Sequence, residues 1–435
     1  ETELGPPVPK EERLPLPQRV KLLGRIIAPG ILIFLVLGTI FTGIAAPTEA
    51  AGVGAAGAII LCALQGKLKW RGIVEAAELF AARRLSPVEL TDALLARCER
   101  LDPALHAFIR LMPDEARAAA RTAEAEFAAG RIAGPMQGIP FGLKDIIDLQ
   151  GVATTCHSKI FADHVATSDA DVTRRLKAGG GVPFGKLAPH EFAIGGPSFD
   201  LPWPPAVSPW GGAHFPGGSS SGSGVAVTSG MLPAALGTDT GGSVRNPASM
   251  CSIVGMKATY GRVSRAGVFP LAYSLDHVGP MTRTVADNAA LLQVLAGHDP
   301  GDPASANEAV PDFSAEIGMD LKGLTIGHVR HFYDGDETAH PEMAAAVDKA
   351  AETLRELGAD VREIRIAPLQ DYATCNRTII GSESYAIHRR FLQERPGDYG
   401  ELARQRILNG AGITAADYID ALRWRARLTA ETQAA

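Results

Sequence analysis

Apolar and polar positions follow different rules in different parts of this chain. From Ile26 to Ala46, "IIAPGILIFLVLGTIFTGIAA", no residue is charged, and at ~1.5 Å per residue such a helix reaches across a ~30 Å hydrocarbon layer. A second uncharged run, Ala51 to Leu64, is shorter and rich in small residues, which suits a tightly packed or half-crossing helix. Beyond residue 75 the pattern turns amphipathic. Ser86, Pro87 and Glu89 spell a capping box ahead of a helix expected from Ser86 to about Leu101. A second helix is expected from Pro113 to Gly130, with Asp114 and Glu115 in its first turn. Further helical periods cover 168–179, 284–297, 341–358 and 370–393, and they alternate with the short apolar runs "GIPFGL", "VPFGKL", "AALGT", "IVGMKA" and "LTIGHV". That alternation predicts an α/β layered domain around a large, mostly parallel or mixed sheet.

Charge and cysteine usage narrow the function classes. Forty-two basic residues stand against 48 acidic ones, a net charge of −6 without long runs, which speaks against a direct nucleic-acid partner. The cysteines, Cys62, Cys98, Cys156, Cys251 and Cys375, are scattered and odd in number, a pattern of a reducing compartment rather than of disulfides or zinc. Lys10, Arg13, Arg19, Lys21 and Arg25 precede the first apolar run, and Lys67, Lys69 and Arg71 follow the second. A hairpin with both ends cytoplasmic satisfies that distribution, whereas a single crossing leaves basic residues on both sides. The run is too long and too far inside the chain for a signal peptide. The expected organisation is a polar, basic tail over 1–25, a hydrophobic membrane-type helical segment over 26–70, and one globular domain over 75–435. The domain would then be cytoplasmic, tethered to the inner membrane through residues 26–66, or the hydrophobic segment would mark a fusion junction.

The stretch "PGGSSSGSG", Pro216 to Gly224, admits several readings. A flexible linker needs polar flanks, yet Val225, Ala226, Val227, Met231 and Leu232 follow directly. A nucleophile elbow G-x-S-x-G, centred on Ser220, needs a preceding strand. The approach, Pro202 to Gly218, contains five prolines and four glycines, and the histidines available downstream, His277, His298, His328 and His340, lie in no distinctive context. A third reading joins three stretches. "LGTDTGGSVRNPAS" sets Ser243 in a glycine turn whose N–H groups can converge on one oxygen. "GIPFGLKDIID" ends an apolar strand on Lys144, and a lysine buried in apolar surroundings loses its proton readily and becomes a usable base.

These stretches, "GIPFGLKD", "PGGSSSGSGVAVTSGMLPAALGTDTGGSVRNPASMCSIVGMKATYGRVS" and "SLDHVGPMTRTVAD", resemble the amidase signature family from about residue 75 to the C-terminus. The resemblance implies a single large α/β/α layered domain around a mixed sheet. It also implies a Ser-cisSer-Lys triad with Ser243 as nucleophile, Ser219 as relay behind a cis peptide from Gly218, and Lys144 as base. The oxyanion hole would be formed by the N–H groups of Thr240, Gly241, Gly242 and Ser243, and Ser220, Asp239 and Arg245 would support the loops. Ser221 departs from the family's commoner glycine. Neither cofactor nor metal is called for.

The implied reaction is hydrolysis of a small carboxamide through an acyl-enzyme, with a homodimer left open. An alternative is the glutamine-hydrolysing subunit of a tRNA-dependent amidotransferase. A third, non-enzymatic alternative is an inactive membrane-anchored fusion, or a permease fragment, because residues 20–75 resemble the last membrane part of the large subunit of TRAP-type transporters. Family members usually continue for some tens of residues beyond this chain's end, so a C-terminally shortened domain is expected. "GGVPFGK", Gly180 to Lys186, fits a P-loop only in part, since Leu187 replaces the Ser or Thr that a P-loop needs, and Lys186 is expected to end a core strand.

Overall fold

The computed structural model describes residues 72–435. The expectations for 1–25 and 26–70, the membrane hairpin and the transporter resemblance therefore lie outside the described residues. Among those described, no helix is long and apolar enough to cross a membrane.

The described residues open with α1 (Ile73–Ala81) and α2 (Pro87–Leu105). The Ser86 hydroxyl accepts from Val88 N–H and Glu89 reaches back to Ser86 N–H, so the expected capping box is present. The helix continues to Leu105, past the expected end. There follow β1 (Phe108–Leu111), α3 (Pro113–Ala128), β2 (Pro140–Lys144), α4 (Asp171–Ala178) and β3 (Val182–Leu187). Then come α5 (Ser221–Thr228), β4 (Ala234–Asp239), α6 (Arg245–Met250), β5 (Val254–Gly255), β6 (His277–Thr282) and α7 (Val285–Leu295). The chain ends with β7 (Thr325–His328), α8 (Pro341–Glu356), β8 (Asp360–Glu363), α9 (Leu369–Glu394), α10 (Glu401–Leu408) and α11 (Ala415–Ala434).

Six strands form one mixed sheet in the order β1-β3-β2-β4-β6-β5. The central strands β3, β2 and β4 run parallel, and β1, β6 and β5 add antiparallel pairs outside them. Every residue of β2 and β4 is buried, as expected of parallel strands covered on both faces. Side chains alternate across a strand, and β4 sorts them accordingly: Ala234 and Leu236 join one apolar cluster, Ala235 the other. Leu291, Leu292 and Leu295 of α7 belong to the first cluster, Val225 and Val227 of α5 to the second. Helices thus cover both faces, which gives the expected α/β/α layering.

Two expected strands behave differently. "IVGMKA" supplies only Val254–Gly255, and "LTIGHV" supplies β7, which pairs with β8 in a separate two-stranded parallel sheet. Lys186 lies within β3, buried, in an ion pair of 3.0 Å with Asp145 and donating to Ile147 O and Thr154 Oγ1, so the P-loop-like stretch is a strand. Helix α5 is the "SGSGVAVT" that a linker reading would have left flexible. Its Gly222 is wedged against the backbone of Ala107 and Ala188: a Cβ there would come within 2.3 Å of Ala107 O and 2.5 Å of Ala188 N. Only glycine lets that helix approach so closely.

Candidate active site

Strands β2 and β4 are parallel neighbours, and Lys144 and Asp239 are their last residues. The C-terminal ends of adjacent parallel strands are where open α/β sheets place their chemistry. Lys144 is fully buried, and its Nζ donates to Ser219 Oγ at 2.7 Å and to Thr238 Oγ1 at 2.8 Å. Burial disfavours the ammonium and brings its pKa down to about 7, against the opposing pull of the Asp239 and Asp276 charges. With its ordinary pKa of ~10.4, a lysine is neutral in only about one molecule in 10³ at pH 7. Here the neutral amine is a major species at neutral pH.

Ser219 and Ser220 precede α5, and the Gly218–Ser219 peptide bond is cis. Ser219 O accepts from His190 N–H at 2.9 Å, Gly218 N–H donates to Asn246 Oδ1 at 3.0 Å, and Ser220 N–H donates to Ser243 O at 3.3 Å. The first bond ties the serine loop to the segment after β3, and the other two tie it to the second serine loop. Ser220, the centre of the elbow motif, is buried, and its hydroxyl donates to Thr238 O at 3.3 Å and accepts from Thr238 N–H at 3.2 Å. It is engaged in holding β4.

Ser243 lies between β4 and α6, and its hydroxyl has no hydrogen-bond partner among the described residues. It shares with Ser219 a cavity of about 810 Å³ that Gly218, Gly241, His190 and Asn376 also line. Asp239 organises this turn. Its carboxylate accepts from Gly242 N–H at 2.8 Å, Val244 N–H at 3.2 Å and Arg245 N–H at 3.3 Å, and the Arg245 guanidinium grips it at 2.8 and 2.9 Å. Burial pushes Asp239 upward, but the Arg245 pairing and the backbone donors outweigh it and hold the carboxyl below its usual range. The Gly242 bond amends the expected oxyanion set. That N–H is directed at Asp239, while those of Thr240, Gly241 and Ser243 have no acceptor among the described residues.

Sequence reasoning did not single out several neighbours. Thr238 holds Lys144, and Asn376 Nδ2 donates to Thr240 O at 3.3 Å. Thr240 Oγ1 donates to Asp276 Oδ1 at 2.6 Å, and Asp276 accepts from Leu271 and Ala272 N–H. Among the described residues, the histidine beside the serines is His190; His277, His298, His328 and His340 do not line the cavity. Burial foremost, and then the Lys144, His157 and Arg406 charges, lower His190 to about 3, so it is neutral. Its ring lies so near Gly218 that a Cβ there would come within 2.0 Å of Cε1. The signal for His190 was its place just after β3, on the loop that the neighbouring parallel strand delivers to the same sheet edge.

An α/β domain that gathers a buried, readily discharged amine and two serine hydroxyls into one cleft is, by class, equipped for hydrolytic chemistry. The profile of the Amidase family matches residues 89–434, and the chain belongs to that family, the amidase-signature hydrolases of carbon–nitrogen bonds. It is 42% identical over 372 residues to the A subunit of glutamyl-tRNA(Gln) amidotransferase from Roseiflexus sp. (strain RS-1), covering 81% of this chain and 76% of that protein. The native peptide amidase from Stenotrophomonas maltophilia superposes with a TM-score of 0.72 at 32% identity, covering 80% of this chain and 77% of that one. A structure described as a vestigial protein complex that reveals the origins of an s-triazine catabolic enzyme gives a TM-score of 0.79 at 33% identity, over 83% and 78% of the two chains.

Proposed function

We propose that residues 75–435 form an amidase domain that cleaves a carboxamide through an acyl-enzyme on Ser243. The observation that carries this reading is the 2.7 Å contact between fully buried Lys144 and Ser219, at the edge of the cavity that Ser243 lines. Neutral Lys144 takes the Ser219 proton while Ser219 takes that of Ser243, and Ser243 Oγ bonds to the amide carbon. Negative charge develops on the former carbonyl oxygen, and the free N–H groups of Thr240, Gly241 and Ser243 are the donors for it. The proton returns through Ser219 to the leaving nitrogen as the C–N bond breaks. Water then attacks the ester with the same relay as base, and the products are a carboxylic acid and ammonia or an amine.

The curated relatives favour a narrower version, in which the amide is the glutamine side chain and the ammonia passes to a partner subunit. Identities of 40–42% to several amidotransferase A subunits support it, whereas the peptide amidase likeness supports independent hydrolysis. A fluorophosphonate probe tests the chemistry shared by both: it should label the wild-type chain and leave Ser243→Ala unlabelled. Equal labelling of the two sinks the nucleophile assignment. Release of ammonia from glutamine by the chain alone, compared with a panel of other primary amides, separates the two versions.

A further inference from the structure

We infer that His190 is a further catalytic residue, whose imidazole accepts an N–H of the substrate's carboxamide nitrogen and so turns that nitrogen's lone pair toward Ser219. This rests on the amidase reading above and holds for both of its versions.

A buried polar side-chain atom without a partner is rare in a folded domain, because it forfeits its bonds to water and gains none in return. Among the described residues, those with such an atom are Thr91, Asp145, His190, Ser198, Asp287 and His388. Asp145 still has its ion pair with Lys186, and of the six only His190 lines the serine cavity. Its Nε2 is buried and unpartnered, and no described residue bonds its Nδ1 either.

The ring is nevertheless firmly placed. Phe215 stacks on it with centroids 6.0 Å apart and planes 29° from parallel. Gly218 lies against Cε1, Nε2 and Nδ1, where an added Cβ would collide with all three, and His190 N–H donates to Ser219 O at 2.9 Å. The nitrogen-bearing edge therefore sits beside the residue that precedes the relay serine. A side chain so fixed and left without bonds is preorganised for a polar group of the substrate.

Which group it takes follows from its charge and its place. Burial, and then the Lys144, His157 and Arg406 charges, keep the imidazole neutral, and a neutral imidazole offers one lone pair as acceptor. The leaving nitrogen has to come within hydrogen-bond reach of Ser219 Oγ to receive its proton, which brings it next to Gly218 and the ring. To accept that proton it must aim its lone pair, not an N–H, at Ser219. An acceptor that holds one N–H fixes the rotation. No proton moves to or from His190: Ser219 gives its proton to nitrogen, the C–N bond breaks, and ammonia or an amine departs. Asn376 Oδ1, another acceptor at the wall, lies beside Gly241, on the side of the oxyanion donors.

Initial rates of the full chain on butanamide, glutamine and 4-nitrophenyl butanoate test the inference. The ester uses the same serines, but its leaving oxygen carries no N–H and departs without a proton. His190→Phe keeps a ring to stack on Phe215 and loses both nitrogens. Its amide-to-ester ratio of kcat/KM should fall about tenfold to hundredfold below that of the wild type. His190→Gln, which keeps an acceptor, should lie between the two. Fluorophosphonate labelling verifies that each variant retains its serine site, and His190→Leu, smaller and equally without nitrogen, replaces His190→Phe if the latter does not label. A structural role for the ring would lower amide and ester rates in equal proportion. That outcome, a Gln ratio no better than that of Phe, or a wild type that labels and cleaves the ester but neither amide overturns the role of His190 and leaves the serine chemistry standing. Absence of labelling and of all hydrolysis overturns the two together.

Discussion

Strand pairs β2–β4 and β7–β8 are both parallel, yet they treat ionisable groups in opposite ways. The first is buried at every position, and its Lys144 is offered hydroxyls rather than a carboxylate, so the charge is discouraged. The second is half covered, with alternate residues of β7 exposed. Next to it Arg330 bonds Asp334 at 2.7 Å and Asp348 at 3.1 Å, while Tyr333 OH donates to Asp348 at 2.6 Å. The Arg330 hydrogen bond, and then that of Tyr333, lower Asp348 to about 2, and Asp348 raises Arg330 in return. Parallel pairing alone therefore sets no protonation state. Dryness combined with the lack of a close counter-ion turns a lysine into a base.

Substitutions at five positions would break or sharpen that contrast. The largest effect is expected for Lys144→Met, which should lower kcat by about 10³. In the wild type kcat/KM should climb with pH through about 7, as Lys144 loses its proton, and the variant should lose that limb. The same lysine leaves a mark on stability. Its folded pKa lies below the unfolded value of ~10.4, so the unfolded chain binds more protons between about 7 and that value, and stability rises with pH across the window. Denaturant midpoints of Lys144→Met should lack this rise, and an unchanged slope would separate the lysine from the effect.

Next in size is packing. Leu236→Ala in fully buried β4 should cost about 2–5 kcal/mol, whereas Ile326→Ala in β7, only partly buried, should cost about 1 kcal/mol. Equal losses by chemical denaturation would show that the outlying pair is as well packed as the central one. Smaller still is Thr238→Val. It removes an acceptor that favours the ammonium form of Lys144, so the rising limb of the pH–rate profile should move down by about one unit. A limb that moves up would reverse the role given to Thr238. Asp348→Asn, in the exposed cluster, should stay within about 1 kcal/mol of wild type in stability and leave the pH–rate limb in place.

Much of this was legible in the sequence because local chemistry carried it. Ser86 with Glu89, Pro113, Thr284 and Pro341 mark helix starts by the donors they satisfy or lack. The apolar runs of β2, β3 and β4 are continuous because both faces are covered. Strand β6 was not read as one, since "HVGPMT" carries glycine and proline, yet it pairs with β4 along its whole length, Leu236 lying opposite Pro280. Its place is fixed by that neighbour rather than by its own propensity. Likewise "LTIGHV" looks like the other core strands, and nothing local says that its partner is β8. At the site, Lys144, Ser219 and Ser243 stood out through their glycine and apolar settings. Thr238 and His190 did not, because each acts through a residue that the sheet brings near. Gly242 shows a further limit: the motif names the turn but not which N–H its own aspartate takes.

Helix α5 bears on what can be changed in this protein. Its letters suggest spare chain, the sort of place where an engineer would insert a tag or tolerate drift. With carbonyl and amide groups pressed against the Gly222 position, this part of the domain leaves little room for rewriting. Random mutagenesis followed by selection for folded protein should return the second glycine of "GSSSGSG" almost untouched, while Gly335 and Gly397, which have nothing within 4 Å of an added Cβ, should fill with other residues.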